Sequence, residues 1–288
     1  MSLAFSSRVP RISLALCAAA TLLGLSGSAS APKAAGDRAW PAQVAAVYKI
    51  NFNGFDIGRF AFSQQTGGGG YKLSGDARIS ALLGAFKWQG VSQASGGIRG
   101  EAAEPSAYVF DYASSAKSGS IRMGFRESDV VSASVNPPAP DDEDLVPVER
   151  RHLTDVLDPL SAVLAVTRAT GAEPCRQRLP VFDGKQRFDL VLSPRGERPL
   201  AERKPSGQPG MVHVCGVRYQ PIAGFKRGSD QEAAARKMDI EMTLRPVPSA
   251  NLLVPHSVTI PALVGTVVLS LERIDIRTPG SDQIALVN

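Results

Sequence analysis

Histidine, cysteine and tryptophan are scarce in this sequence: three, three and two among 288 residues. The histidines stand at 152, 213 and 256, and no two share a local motif with a serine, a cysteine or an acid. That removes contiguous catalytic patterns and the His–Cys spacings of a zinc site. No G-x-S-x-G elbow follows the first 31 residues. H-E-x-x-H, a Walker loop and a G-x-G-x-x-G opening a helix after a strand are missing throughout. Catalysis is left only to residues converging from distant strands, so the chain is expected not to be an enzyme and to need no cofactor or metal.

Charge of one sign is also lacking, with 32 basic residues against 27 acidic and the two interspersed. A nucleic-acid protein carries a stronger, clustered basic excess, so no nucleic-acid partner is expected. No apolar run reaches the roughly 20 residues a membrane-crossing helix needs. The nearest approach, residues 12–25, follows Arg8 and Arg11 with no acid in the first 31 residues, the layout of a secretory leader. Ala29-Ser30-Ala31 has the small-x-small form of a cleavage site, although Pro32 fits poorly as a first residue, and a cut one or two residues earlier is equally compatible. Leu16 before Cys17 argues against a lipid-anchored cysteine. The expectation is a removed leader, no transmembrane segment in the remainder, and a periplasmic location. Losing Arg8 and Arg11 takes 32 basic residues to 30 against 27 acidic, a formal charge of +3.

Without the leader only Cys175 and Cys215 remain, an even number in an oxidising compartment, which predicts a disulfide. His213 shares strand parity with Cys215, so a histidine-activated thiol is the alternative.

What the sequence has is alternation. Tyr48, Ile50 and Phe52 alternate with Lys49, Asn51 and Asn53, and Asn53-Gly54 is the pair a two-residue hairpin turn prefers. The return strand slips phase near Gly58, which predicts a bulge. Residues 67–70 read as a glycine hairpin tip. Strand patterns continue through Phe86 and Trp88, then Tyr108, Phe110 and Tyr112, then Ile121, Met123 and Phe125, with Gly84 and Gly96-Gly97 as punctuation. The acidic run 141–144 lacks the spacing of a calcium loop and reads as an exposed loop. Residues 158–168 form the one convincing helix: Asp158 caps it, Pro159 suits its first position, and Leu160, Val163, Leu164 and Thr167 share a face. Asp155 and Asp158 form a carboxylate pair at its start, in the place where helix N–H groups favour acids.

Asp183-Gly184 marks another hairpin, 195–210 a mobile loop, 228–237 a short exposed helix, and three further strands complete the chain. The fold expected is mainly β, a single strongly curved antiparallel sheet (open barrel or β-spiral) of about 12–14 strands with one buried helix near 158–168. Its parts are a signal peptide at 1–31, a flexible segment at 32–43, a β-rich domain at 44–277 and a C-terminal tail at 278–288.

Taken together, Y-K-I-N-F-N-G-F-D-I-G (48–58), D-P-L-S-A-V-L (158–164), V-F-D-G-K-Q-R-F-D-L (181–190), Cys215 and P-I-A-G-F (221–225) resemble the proteobacterial exported family known as domain of unknown function 3108. The resemblance spans about 44–277 and implies a periplasmic β-protein without established catalytic residues. By looser analogy it is similar to a curved β-spiral envelope-integrity family and to half-barrels that carry lipoproteins between membranes. The function expected is non-enzymatic binding in cell-envelope maintenance, with a lipid, acyl chain or lipoprotein held in a groove of the sheet. Tyr48, Phe52, Phe86, Trp88, Tyr108, Phe110, Tyr112, Leu160 and Leu164 are its expected lining. The alternatives are a filled core that docks an envelope protein partner, and an enzyme with dispersed residues.

Overall fold

The computed structural model describes residues 40–288 apart from 82–83, 139–141, 169–170, 172, 201–209, 263, 281–282 and 288. The leader and its cleavage site, and most of the 32–43 segment, lie outside the described residues.

Seven strands form an up-and-down meander: β1 (Gln43–Phe52), β2 (Phe55–Gly67), β3 (Gly70–Ala81), β4 (Phe86–Arg99), β5 (Ala102–Ser114), β6 (Ser118–Arg126) and β7 (Asp129–Asn136). After a crossover comes helix α1 (Pro159–Arg168). The second meander runs through β8 (Gln177–Phe182), β9 (Arg187–Pro199), β10 (Met211–Ala223), helix α2 (Asp230–Lys237), β11 (Ile240–Val247), β12 (Leu252–Ala262) and β13 (Gly265–Arg277). β13 pairs antiparallel with β1, which joins the two meanders into one sheet whose order is 7-6-5-4-3-2-1-13-12-11-10-9-8. The sheet does not close, because β7 and β8 stand at its ends. A final strand, β14 (Gln283–Val287), lies within the 278–288 tail and pairs with the second half of β13. β12 pairs only with the first half.

The turns follow their residues. Asn53 and Gly54 have φ of 49° and 87°, the positive pair a two-residue hairpin requires. Asn53 then locks the turn to its neighbour, its Oδ1 accepting from the Thr266 amide at 2.9 Å. The bulge near Gly58 is present: Gly58 faces Ile50, and Asp56 faces Asn51. Gly96-Gly97 is not a turn as expected but part of β4, where the register with β5 shifts between Ser95 and Gly96. A Cβ on Gly96 would come within 2.1 Å of the Glu104 carbonyl oxygen, so that glycine marks a close backbone approach. The expected loop 195–210 is strand as far as Pro199, since β9 pairs with β10 to that point, and 201–209 lie outside the described residues. In the acidic run, Asp142 and Asp144 both hold Lys226, at 3.0 and 3.3 Å.

Opposite residues of paired strands point to one face. The registers therefore place Tyr48, Phe60, Phe62, Leu73, Ala94, Tyr108 and Met123 together on the inner side of the first meander. Helix α1 fills the space they surround. Leu160 and Leu164 pack into the cluster of Phe62, Tyr71, Leu73 and Tyr108. Ala162 and Val166 pack into a second cluster with Leu179, Val181, Leu192 and Leu253 from the other meander. Val163, expected on the buried face, is instead 36% exposed, because the sheet covers two sides of this helix and leaves a third.

The helix is pinned at both ends. Asp158 Oδ1 accepts from the Leu160 and Ser161 amides at 2.9 and 3.0 Å, as an N-cap does. Its Oδ2 accepts from the Ser161 hydroxyl at 2.5 Å, which leaves Ser161 Oγ to accept from Tyr71 on β3 at 2.7 Å. At the other end buried Arg168 donates to the Asn251 carbonyl at 2.7 Å, and its guanidinium lies 4.5 Å from the Trp40 ring centroid.

Candidate functional site

Positions 159, 163 and 167 of α1 share one helix face by their spacing. That face looks across to the middle of the sheet, and between the two lies a cavity of about 190 Å³. Its floor is Val44, Ala46 and Tyr48 of β1 with Phe60, Phe62 and Gln64 of β2. β12 and β13 supply Leu252, Leu253, Val254, Pro255, Val258, Leu269 and Ile274, and Leu190 and Met242 complete the far wall. Ala162 and Val166 of α1 bring the lining to twenty side chains, and none of them is charged. Val163 is exposed and Phe60, Leu190, Met242, Val258 and Leu269 are only partly buried, so the cavity is open on one side.

Three lining residues carry polar groups. The Thr167 hydroxyl donates to the Leu164 carbonyl at 2.8 Å and is satisfied. The Tyr48 hydroxyl forms no hydrogen bond among the described residues, and burial pushes its pKa further above the ordinary value, so it stays protonated. Gln64 is 2% exposed, and its Nε2 has no hydrogen-bond partner. Buried amides are nearly always paired, which makes Gln64 the anomaly of the site.

Among the residues expected to line a groove, only Tyr48 borders this cavity. Tyr108, Leu160 and Leu164 are 5%, 5% and 0% exposed and belong to the packed cluster on the other side of α1. Phe86, Trp88, Phe110 and Tyr112 occupy inner-face register positions, but toward the rim. Phe86 is 44% exposed. Trp88 and Phe110 crowd the notch over Gly90, and Phe110 stacks on Tyr112 at 5.6 Å. Phe52 lies opposite Phe55 at the β1–β2 turn. Strand alternation thus identified the inner face correctly. It could not say which part of that face the helix fills, because that depends on where α1 lies. The signal that was available and missed is Gln64, a polar residue in phase with Phe60 and Phe62.

Cys175 and Cys215 form the expected disulfide, their Cα atoms 5.3 Å apart and both residues buried. Cys215 is therefore no thiol for His213 to activate, and His213 pairs with Glu197 at 2.9 Å instead. The carboxylates Asp155 and Asp158 do not meet in a buried site, since Asp155 is exposed while Asp158 is 0% exposed and caps α1. Among the described residues no three His, Cys, Asp or Glu side chains are grouped to hold a metal ion. No helix among them is long and apolar enough to cross a membrane.

Burial raises the Asp158 pKa above the ordinary carboxylate value, outweighing hydrogen bonds from Ser161 and Leu160 that lower it. A raised carboxyl pKa favours folding most below the unfolded value, and the benefit is lost as pH rises through the folded one. Asp158→Asn keeps the cap oxygen and removes the titration. The stability advantage of wild type over this variant in urea titrations is thus expected to shrink as pH rises above the ordinary carboxylate range; growth of the advantage would refute the assignment.

A family model described as "Protein of unknown function (DUF3108)" matches residues 47–272. No curated protein matches the sequence. Among solved structures, the chain is similar to a β-barrel-like protein of domain of unknown function DUF1849 from Brucella abortus, with a TM-score of 0.52 and 12% identity over 83% of this chain and 99% of that one. At that identity the likeness is one of fold.

Proposed function

We propose that this chain, which belongs to the DUF3108 family, is a non-enzymatic binding protein of the bacterial cell envelope that holds an acyl chain against the inner face of its sheet. The observation that carries the reading is the uncharged cavity of about 190 Å³ between α1 and strands β1, β2, β12 and β13. An apolar void of about 150 Å³ stays dry and accepts a benzene-sized guest. Pockets for whole drug-sized molecules run to about 300–1,000 Å³. The space therefore suits a single hydrocarbon chain, with any bulkier part of the ligand outside. The envelope location rests on the leader-like first 31 residues and on the disulfide, which persists in oxidising compartments.

Native mass spectrometry of the purified protein, before and after organic extraction, tests this. A mass above that of the polypeptide, lost on extraction, is the expected result, and a repeatedly clean apo mass counts against it. Ala46 is 3% exposed, borders the cavity and faces Phe62 and Ile274. Ala46→Phe fills the space from within. It should weaken retention of the adduct at least tenfold while changing unfolding free energy by no more than about 2 kcal/mol.

A second reading, docking of an envelope protein partner, is favoured by β7. It ends the sheet, its residues are mostly exposed, and Val131 is 57% exposed. Such an edge offers free backbone groups to an added strand. β8 at the opposite end is partly covered, since Leu157 bridges Val181 there.

A further inference from the structure

The cavity's polar groups narrow its occupant further, on the premise that an apolar chain binds there. Gln64 belongs to the inner face: its register mates are Val44 on β1 and Leu73 on β3, both inward and buried. Its amide nitrogen is sealed from solvent and donates to no protein atom. A buried amide left unpaired is costly, whereas one that meets an acceptor is not. Gln64 thus presents an unpaired donor at the cavity.

An acceptor suited to this lining is uncharged. Lysine, arginine, histidine and acidic side chains are all missing from the lining. A carboxylate or phosphate placed there would be stripped of water with no counter-charge, and the penalty for burying a lone ion exceeds what one amide hydrogen bond returns. An ester or amide carbonyl brings an acceptor without net charge. It would accept from Gln64 while its chain runs along Ala46 and Phe62 toward Tyr48. The distance from Val44, opposite Gln64, to Tyr48 is four residues of strand, about 13 Å. At that far end stands Tyr48, which also borders the cavity. The apolar stretch between the two matches a medium-length chain.

We infer that Gln64 is a specificity-determining residue that receives the neutral carbonyl of an ester- or amide-linked acyl chain, so that the site selects such chains over free fatty acid anions and over plain hydrocarbon.

The test uses the full purified chain after organic extraction, loaded with the neutral fluorophore phenylnaphthylamine. Methyl octanoate, octanoate and nonane compete for it at neutral pH, against wild type and Gln64→Leu. Wild type is expected to prefer methyl octanoate to each of the other two by about tenfold, the worth of one buried neutral hydrogen bond. Gln64→Leu is expected to bind methyl octanoate and nonane equally within about twofold and still to fold, since leucine of similar size removes an unsatisfied group. If all three bind wild type alike, or if Gln64→Leu keeps the ester preference, the carbonyl inference fails while the acyl-binding reading stands. If none of the three displaces the fluorophore, the acyl-binding reading fails and this inference with it.

Discussion

Replacing Cys175 and Cys215 together by alanine should lower the unfolding free energy by about 4 kcal/mol and the melting temperature by about 10 °C. The bridge spans 40 residues, and closing a loop of that length removes a corresponding entropy from the unfolded chain. Its position adds a specific effect. Cys175 lies between α1 and β8, and Cys215 lies on β10, so the bond ties the end of the crossover to the sheet past the intervening β9. Both sulfurs sit in the cluster of Ala162, Val166, Leu179 and Leu192. Reductant should therefore attack slowly until the protein opens, and thiol titration of the native, non-reduced protein should find no free cysteine from this pair. Two reactive thiols, or an alanine variant melting at the wild-type temperature, would be incompatible with this role.

The second large effect is expected at Leu164. It is 0% exposed and stands where α1 meets Phe62, Tyr71, Leu73 and Tyr108 of the first meander. Leu164→Ala removes three buried carbons and leaves a void beside a sheet that cannot collapse around it, for a loss of about 4 kcal/mol. Val163, one residue earlier, is the internal control. It is 36% exposed and borders the cavity, so Val163→Ala should cost under about 1 kcal/mol and show its effect in ligand retention instead. Equal losses at the two positions in urea titrations would mean that α1 is not seated as described.

Much of this fold was legible in the sequence because its information is local. Asn53-Gly54, the slip at Gly58, the glycine tip at 68–69 and the Asp158-Pro159 helix start each depend on residues that touch their immediate neighbours. The 14-stranded sheet follows from repeated alternation with turn residues between. Illegible were the pairings that span the chain. Nothing in residues 43–52 alone says that their partner is 265–277, or that β14 takes over the edge that β12 leaves. The cavity depends on those pairings and on the seat of α1. For that reason Tyr48 borders the cavity, while Tyr108, on the same inward strand face, and Leu160 and Leu164 on α1 belong to the packed core. Trp88 and Tyr112 share that parity also and sit over Gly90 and Gly119, a use that alternation does not announce.

The pairing of β1 with β13 has a consequence for how the molecule comes into being. Asn53 and Thr266, bonded in the finished sheet, are 213 residues apart in the chain, and the seam they belong to lies in the middle of the sheet. During synthesis β1 emerges early and waits, its Val44-Ala46-Tyr48-Ile50 row paired on one edge only, until the penultimate strand appears. Long-range closure of this kind is slow, and a strand edge left open meanwhile is a template for wrong partners. The nascent chain is thus most vulnerable over most of its emergence, a natural window for a chaperone that masks strand edges.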